Sequence, residues 1–262
     1  MKDLNIYNLR MVAAMQDKLF FVDKIDLREY DLIVDFGCAT GELLRNLMPF
    51  VCQPGGKRVQ MVGFDINEDM INIARHNVLG ELENIEVDLC PDFNSLLWHL
   101  NKPHKKSLII FSSVLHEISD HEQRKIMHTI MPKFTTVVIR DMTRPSNNEP
   151  ISNATRKRVL AQVAPWQAQM FESRWGKIRD KENLYRFFLI NEFVENFETE
   201  VEEDYFGVLW KEIVWTLEDA EFDVVYANAF TLPYRKQQVQ KRFNHVMDDI
   251  THKKIIYTKR EK

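Results

Sequence analysis

The stretch Leu32-Ile33-Val34-Asp35-Phe36-Gly37-Cys38-Ala39-Thr40-Gly41-Glu42 decides the fold. An apolar run closes on an acid, a turn of small residues follows, and Glu42 opens a helical pattern. That is how a buried parallel strand passes into its crossover helix. Glycine at positions 37 and 41 lets the backbone take positive φ and lets a ligand approach closely. In a doubly wound sheet such a turn faces the crevice beyond the carboxyl ends of the strands, where ligands bind. Asp35 suits an ammonium group there, and the amides around Cys38, Ala39 and Gly41 suit a carboxylate, so the turn fits a zwitterionic amino-acid moiety. A dinucleotide fingerprint fits poorly, because Gly37, Ala39 and Glu42 fall at its glycine positions. A helix that opens on Glu42 also repels a pyrophosphate.

Working outward, apolar runs at 30–36, 59–65, 84–88, 107–112 and 135–141 alternate with helical patterns at 41–50, 67–79, 91–100 and 120–131. Asn67 is a good N-cap, and Ser119 with Glu122 forms a capping box. The alternation predicts βαβ units and a parallel sheet. Strand patterns return at 222–230 and 254–258, after Phe206, Leu209, Trp210, Ile213, Val214 and Leu217 recur at helical spacing. The expected fold is therefore α/β: a single domain with a doubly wound, mostly parallel seven-stranded sheet. Its expected parts are an N-terminal helical cap at 1–28, a core at 29–142 and 205–262, and a helical insertion at 143–204 after the fifth strand. An insertion of that length is read as a lid or binding element. Within it Phe187, Phe188, Phe193 and Phe197 fall near helical spacing and are expected to pack, whereas Trp166, Trp175 and Tyr185 are less regular and, where exposed, could stack on a planar acceptor.

The 262 residues are 45% hydrophobic and 28% charged, ordinary for a globular protein. No apolar run reaches the roughly 18 residues of a membrane span, so no membrane partner is expected. The N-terminus lacks a basic segment leading into an apolar stretch, and a cytoplasmic protein is expected. Cys38, Cys52 and Cys90 are an odd number without metal-ligand spacing and read as reduced thiols. A net charge of -4 weighs against nonspecific coating of nucleic acid. The charges are uneven, however: residues 191–204 hold seven acids and no base, while 231–262 hold nine Lys or Arg against three acids. Both stretches read first as solvated surface.

Two further strand ends carry acids. Asp65 is placed to accept the hydroxyls of a ribose, and Asp88 to accept from an adenine amino group, with Ile66 and Leu89 packed on the ring faces. Taken together, Val34 to Gly41, Gly63-Phe64-Asp65-Ile66, Val87-Asp88 and Ile109 to Ile118 resemble, in order, the motifs of the class I S-adenosylmethionine-dependent methyltransferases. The resemblance runs over about 31–141 and resumes after 220, departing from the commonest form only in Ala39, where a second glycine is usual. It implies S-adenosylmethionine as cofactor and S-adenosylhomocysteine as product. It also implies that Gly37 and Ser112 help enclose the methionine moiety.

Transfer from a sulfonium needs chiefly an in-line nucleophile, and a base only when the acceptor must lose a proton first. His116 and Glu117, just after the fourth strand, are the acid–base candidates. Of Arg140 and Asp141, neighbours that point to opposite faces of the fifth strand, Asp141 is expected to face the cleft. Lys18, Tyr185 and Arg186 are candidates to close over the acceptor. His116, Glu117, His121, Glu122 and His128 lack the His-Glu-x-x-His spacing of a helical zinc site, and no metal is expected. The fourth strand also lacks the Asn/Asp-Pro-Pro-Tyr/Phe sequence of the family's adenine and glutamine amino methylases.

The function expected is methyl transfer to an oxygen or nitrogen of a small molecule. The alternatives are an RNA or DNA methyltransferase using Arg235, Lys236, Lys241 and Arg242, and a noncatalytic cofactor-binding or scaffold protein.

Overall fold

The computed structural model describes residues 14–52, 56–78, 85–192 and 194–260. Seven strands make one sheet in the order β3-β2-β1-β4-β5-β7-β6. They are β1 Leu32–Phe36, β2 Val59–Phe64, β3 Ile85–Cys90, β4 Ser107–Ser112, β5 Thr136–Met142, β6 Phe222–Phe230 and β7 His252–Lys259. The first five strands pair in parallel, and β7 runs antiparallel to both β5 and β6, so the sheet is mixed. The order reverses between β1 and β4, and the crevice of a doubly wound sheet opens at that point.

Helices α1 Glu42–Val51, α2 Glu68–Asn77, α3 Phe93–Leu100 and α4 Asp120–Thr129 connect the parallel strands. Their starts follow the sequence. Asn67 accepts from the backbone of Asp69 and Met70, Asp92 from Asn94 and Ser95, and Ser119 from Glu122, which satisfies amides that a helix start leaves open. Alternation along the buried strands sends Val34, Phe36, Ile109 and Phe111 into one core layer and Ile33, Leu108 and Ile110 into the other.

After β5 the chain leaves the sheet for α5 Asn153–Leu160, α6 Pro165–Trp175, α7 Lys181–Ile190 and the single turn α8 Phe197–Glu200. These helices have their own core around Phe171, Phe187, Phe188 and Phe197, which Val239 and Phe243 join. Those two belong to α10, Pro233–Phe243, a helix between β6 and β7 that the sequence reading passed over; α9, Trp210–Asp219, precedes β6. Phe193 lies outside the described residues, as do residues 1–13 of the expected N-terminal cap at 1–28; of the rest, residues 14–18 are helix. Among the described residues no helix is long and apolar enough to cross a membrane.

Candidate active site

The ends of β1, β2 and β4 surround a cavity of about 300 Å³. After β1 the chain turns through Gly37, Ala39 and Gly41 at φ 80°, 45° and 76°. The N–H groups of Gly37 and Cys38 donate to the Phe64 carbonyl at 2.7 and 2.9 Å, tying this turn to the end of β2. Asp65 completes the tie, accepting from the Ala39 N–H and the Asn67 N–H, each at 2.9 Å. A Cβ on Gly37 would sit 2.4 Å from Val114 Cγ2, so only glycine lets the turn pass the loop after β4. Ile66, 84% exposed, Phe93 and Val114 give the cavity apolar walls beside Asp65.

Behind the turn the protein buries polar atoms that no described group satisfies: Asp35 Oδ2, Thr40 Oγ1 and Ser112 Oγ. Asp35 is 2% exposed. Burial pushes its carboxyl up to about 7, with Lys18 opposing and Asp65 adding to the rise. Burial and the Arg140 guanidinium bring Lys18 down to about 8, against the pull of Asp35. A buried acid with an open oxygen beside a turn that admits close approach suits the ammonium end of an amino-acid moiety. The residues present therefore fit the cofactor that the sequence motifs imply.

A second cavity, of about 170 Å³, opens on the other side of the β4 loop. Lys18, His116, Arg140, Glu192, Glu203 and Tyr205 are among its walls, and Glu117 lines both cavities. Asp141, with no exposed surface, accepts from the Val114 N–H at 3.1 Å and the Leu115 N–H at 2.8 Å, and its other oxygen lies 2.6 Å from His116 Nδ1. Burial resists a charged imidazole at His116, but the Asp141 carboxylate outweighs it and raises the pKa above the usual value. Burial likewise resists the Asp141 carboxylate, which His116 and the backbone amides hold below the ordinary range.

Several expected positions need correction. Arg140, not Asp141, lines the second cavity, in ion pair with Asp17 at 2.7 Å, while Asp141 stands behind His116. β3 continues through Cys90, so Asp88 lies inside the strand and accepts from Gln60 Nε2 at 2.9 Å rather than reaching the cavity. Leu89 packs against the core beside Gly63. Phe93, one residue past the Asp92 cap, takes the place by the cavity that Leu89 was expected to hold. Tyr185 is buried with its hydroxyl on Asp248, and Arg186 is paired with Asp204 and lies over Trp175. Trp175 donates to the Val201 carbonyl, whereas Trp166 is 46% exposed away from either cavity. His121 and His128 are exposed on α4. The acidic stretch is not all solvated surface: Glu192, Glu200 and Glu203 turn into the second cavity.

A doubly wound sheet with this crevice, glycine turn and acid after β2 defines a protein of the S-adenosylmethionine-dependent methyltransferase class. The chain belongs to that class by family as well: a family model described as a methyltransferase domain matches residues 29–203, and S-adenosylmethionine is the cofactor. Its fold is similar to that of the cyclopropane synthase MmaA2 of Mycobacterium tuberculosis, at 11% identity and TM-score 0.55 over 94% of this chain and 84% of the other. It is also similar to a SAM-dependent methyltransferase from Archaeoglobus fulgidus, at 16% identity and TM-score 0.52 over 97% and 99%. A third likeness is to the plantazolicin methyltransferase BamL, at 11% identity and TM-score 0.54 over 97% and 88%. No curated protein matches the sequence at a significant level.

Proposed function

We propose that this enzyme methylates an oxygen or nitrogen of a small molecule held in the cavity walled by Lys18, His116 and Arg140. The observation that carries the reading is Glu117, which lines both this cavity and the one beside the glycine turn, so cofactor and acceptor would meet at one loop. When bound, S-adenosylmethionine supplies an electrophilic methyl on a sulfonium. Asp35, Ser112 and the turn from Gly37 through Cys38 and Ala39 to Gly41 would hold its amino-acid end. Asp65 would take the ribose, and Ile66 with Phe93 the adenine. The helical segment 143–204, which contributes Glu192, Glu200 and Glu203, would wall the acceptor side.

On that side Asp141 is a positioning residue. It fixes the His116 ring through Nδ1, and Nε2 is left to accept a proton from an acceptor hydroxyl. A nucleic-acid acceptor is less favoured, because Arg235 of the basic stretch is buried against Glu192 at 3.0 Å and Arg242 donates to the Asn191 carbonyl. Cys38, Cys52 and Cys90 form no disulfide, which supports a cytoplasmic setting.

The test is to incubate the purified chain with methyl-labelled cofactor and separated small-molecule, RNA, DNA and protein pools. Label is expected in a small molecule. Label in nucleic acid alone would overturn the acceptor class, and cofactor binding without transfer to any pool would favour the noncatalytic reading. With an acceptor in hand, the rate should rise with pH through a pKa above 6.5, because only neutral His116 can accept a proton and Asp141 favours the charged form. A flat profile between pH 6 and 8 would remove His116 from that role.

A further inference from the structure

The C-terminal end of α7 and one side of α10 wall a third cavity, of about 460 Å³. Phe188, Leu189, Val239, Phe243 and Met247 make it largely apolar, and the Phe188 and Phe243 rings pack with 4.9 Å between centroids. Three cations stand in the same walls, Arg235, Lys241 and Arg242, against a single acid, Glu192, which Arg235 already engages at 3.0 Å. We propose that this cavity binds a small amphipathic carboxylate, its apolar body among the phenylalanines and its anionic head on Arg242. The inference goes beyond the methyltransferase reading and does not depend on it.

Three observations point to that ligand. First, Arg242 is half-buried, and among the described residues no carboxylate pairs with it. Its guanidinium donates to the Asn191 carbonyl and lies 5.0 Å from the centroid of the Phe243 ring, and burial lowers its pKa with no acid opposing. Second, two buried polar atoms of the lining residues, Arg235 Nη1 and Asn191 Oδ1, have no hydrogen-bond partner among the described residues. Arg235 is 6% exposed and meets Glu192 through Nε, while Asn191 donates to the Phe187 carbonyl through Nδ2. Buried polar groups are nearly always bonded, and an open donor and an open acceptor in one wall are what water or a polar head completes. Third, Arg235, Val239 and Arg242 follow helical spacing along α10, which sets two guanidiniums about two turns apart on the stripe that meets α7.

A planar guanidinium without a counter-ion takes a carboxylate through two parallel hydrogen bonds, and such charge-assisted pairs are stronger than neutral ones. A phosphate dianion fits less well, because the apolar side chains around the cations would strip its hydration. The space is within the range that encloses a small organic ligand. Arg235 and Glu192 also line the second cavity, so the bound anion would lie against an ion pair common to both. The basic composition of α10, which had suggested a nucleic acid, is thus put to use against an apolar wall and not along an open surface.

The probe is phenylbutyrate, titrated by calorimetry into the full-length chain without cofactor, with its neutral isostere phenylbutanamide run beside it. One equivalent of the acid is expected to bind, and the amide at least about tenfold more weakly, the loss of one charge-assisted pair. Arg242→Gln should weaken the acid by a similar factor and leave the amide as it was. Gln238→Trp, at an exposed position in the cavity wall, should fill the space and abolish binding of the acid. Lys236→Gln, exposed on the same helix and outside the walls, should bind as the unaltered chain does. Absence of binding tighter than about 1 mM, or equal affinity for acid and amide, would overturn the site. So would unchanged affinity in Gln238→Trp, which would put the anion elsewhere. Circular dichroism establishes that each variant is folded. The titration needs no cofactor, so calorimetry with S-adenosylmethionine tests the methyltransferase reading separately.

Discussion

The two halves of the cleft, one proposed for the cofactor and the other for the acceptor, are made differently. The cofactor half is built from three short loops, each following its strand directly, and is closed by backbone bonds such as Gly37 and Cys38 to Phe64. The acceptor half gathers Lys18, His116, Arg140, Glu203 and Arg235 from five separate parts of the chain and is held by buried ion pairs. Backbone closure makes the first half depend on glycine geometry, with the Asp65 carboxylate as its one side-chain tie. Charge pairing makes the second half depend on a few carboxylates, each costly to remove alone.

The sharpest test of that contrast is Asp141→Asn. The amide would leave His116 without its counter-charge and offer a single acceptor oxygen where the carboxylate uses two. Breaking a buried pair on one side costs about 3–5 kcal/mol, to be read as a lower midpoint in urea unfolding. Methyl transfer should fall as well. A midpoint equal to that of the unaltered chain would show that the acceptor half does not rest on this pair.

Gly37→Ala probes the other half and should cost less. The residue would have to keep φ 80° and place a Cβ 2.4 Å from Val114 Cγ2. Strain of that kind is worth about 1–3 kcal/mol, shared between stability and cofactor affinity. Because Val114 Cβ itself would lie 2.8 Å from the new Cβ, only Val114→Gly removes the clash; it leaves the φ strain, so calorimetry should find only part of the affinity restored. Full restoration would mean that contact, and not backbone geometry, closes the turn.

The same contrast governs what could be read in advance. β1, β2 and β4 were legible because strands buried on both faces are continuous apolar runs that stop at turn residues. The Gly37, Asp65 and Glu117 cluster followed, since each lies within a few residues of its strand end. β3 was misread at its end, because Leu89 and Cys90 continue the strand past Asp88. α10 begins with proline at its first position, a start signal that Pro233 offered and the basic composition of the tail obscured. Arg140 and Asp141 illustrate a limit of another kind. Alternation correctly put them on opposite faces, but which face met the cavity depended on the loop after β4 folding back over Asp141. Glu203 could not be assigned from sequence, because its meeting with His116 depends on how the helices after β5 pack.

The smallest effect is also informative, because Asp65 and Asp88 looked equivalent as acids near strand ends. Asp65 accepts from two backbone amides at the cavity, and Asp65→Ala should weaken cofactor binding by about 1–3 kcal/mol. Asp88 spends its carboxylate on Gln60, inside the strand. Asp88→Ala should therefore change cofactor binding by less than about 0.5 kcal/mol, the usual range for a substitution away from a site. Calorimetry on the two variants side by side distinguishes a carboxylate facing the cavity from one bound within the sheet. An equal loss in both would return Asp88 to the adenine and require β3 to end two residues earlier than it does here.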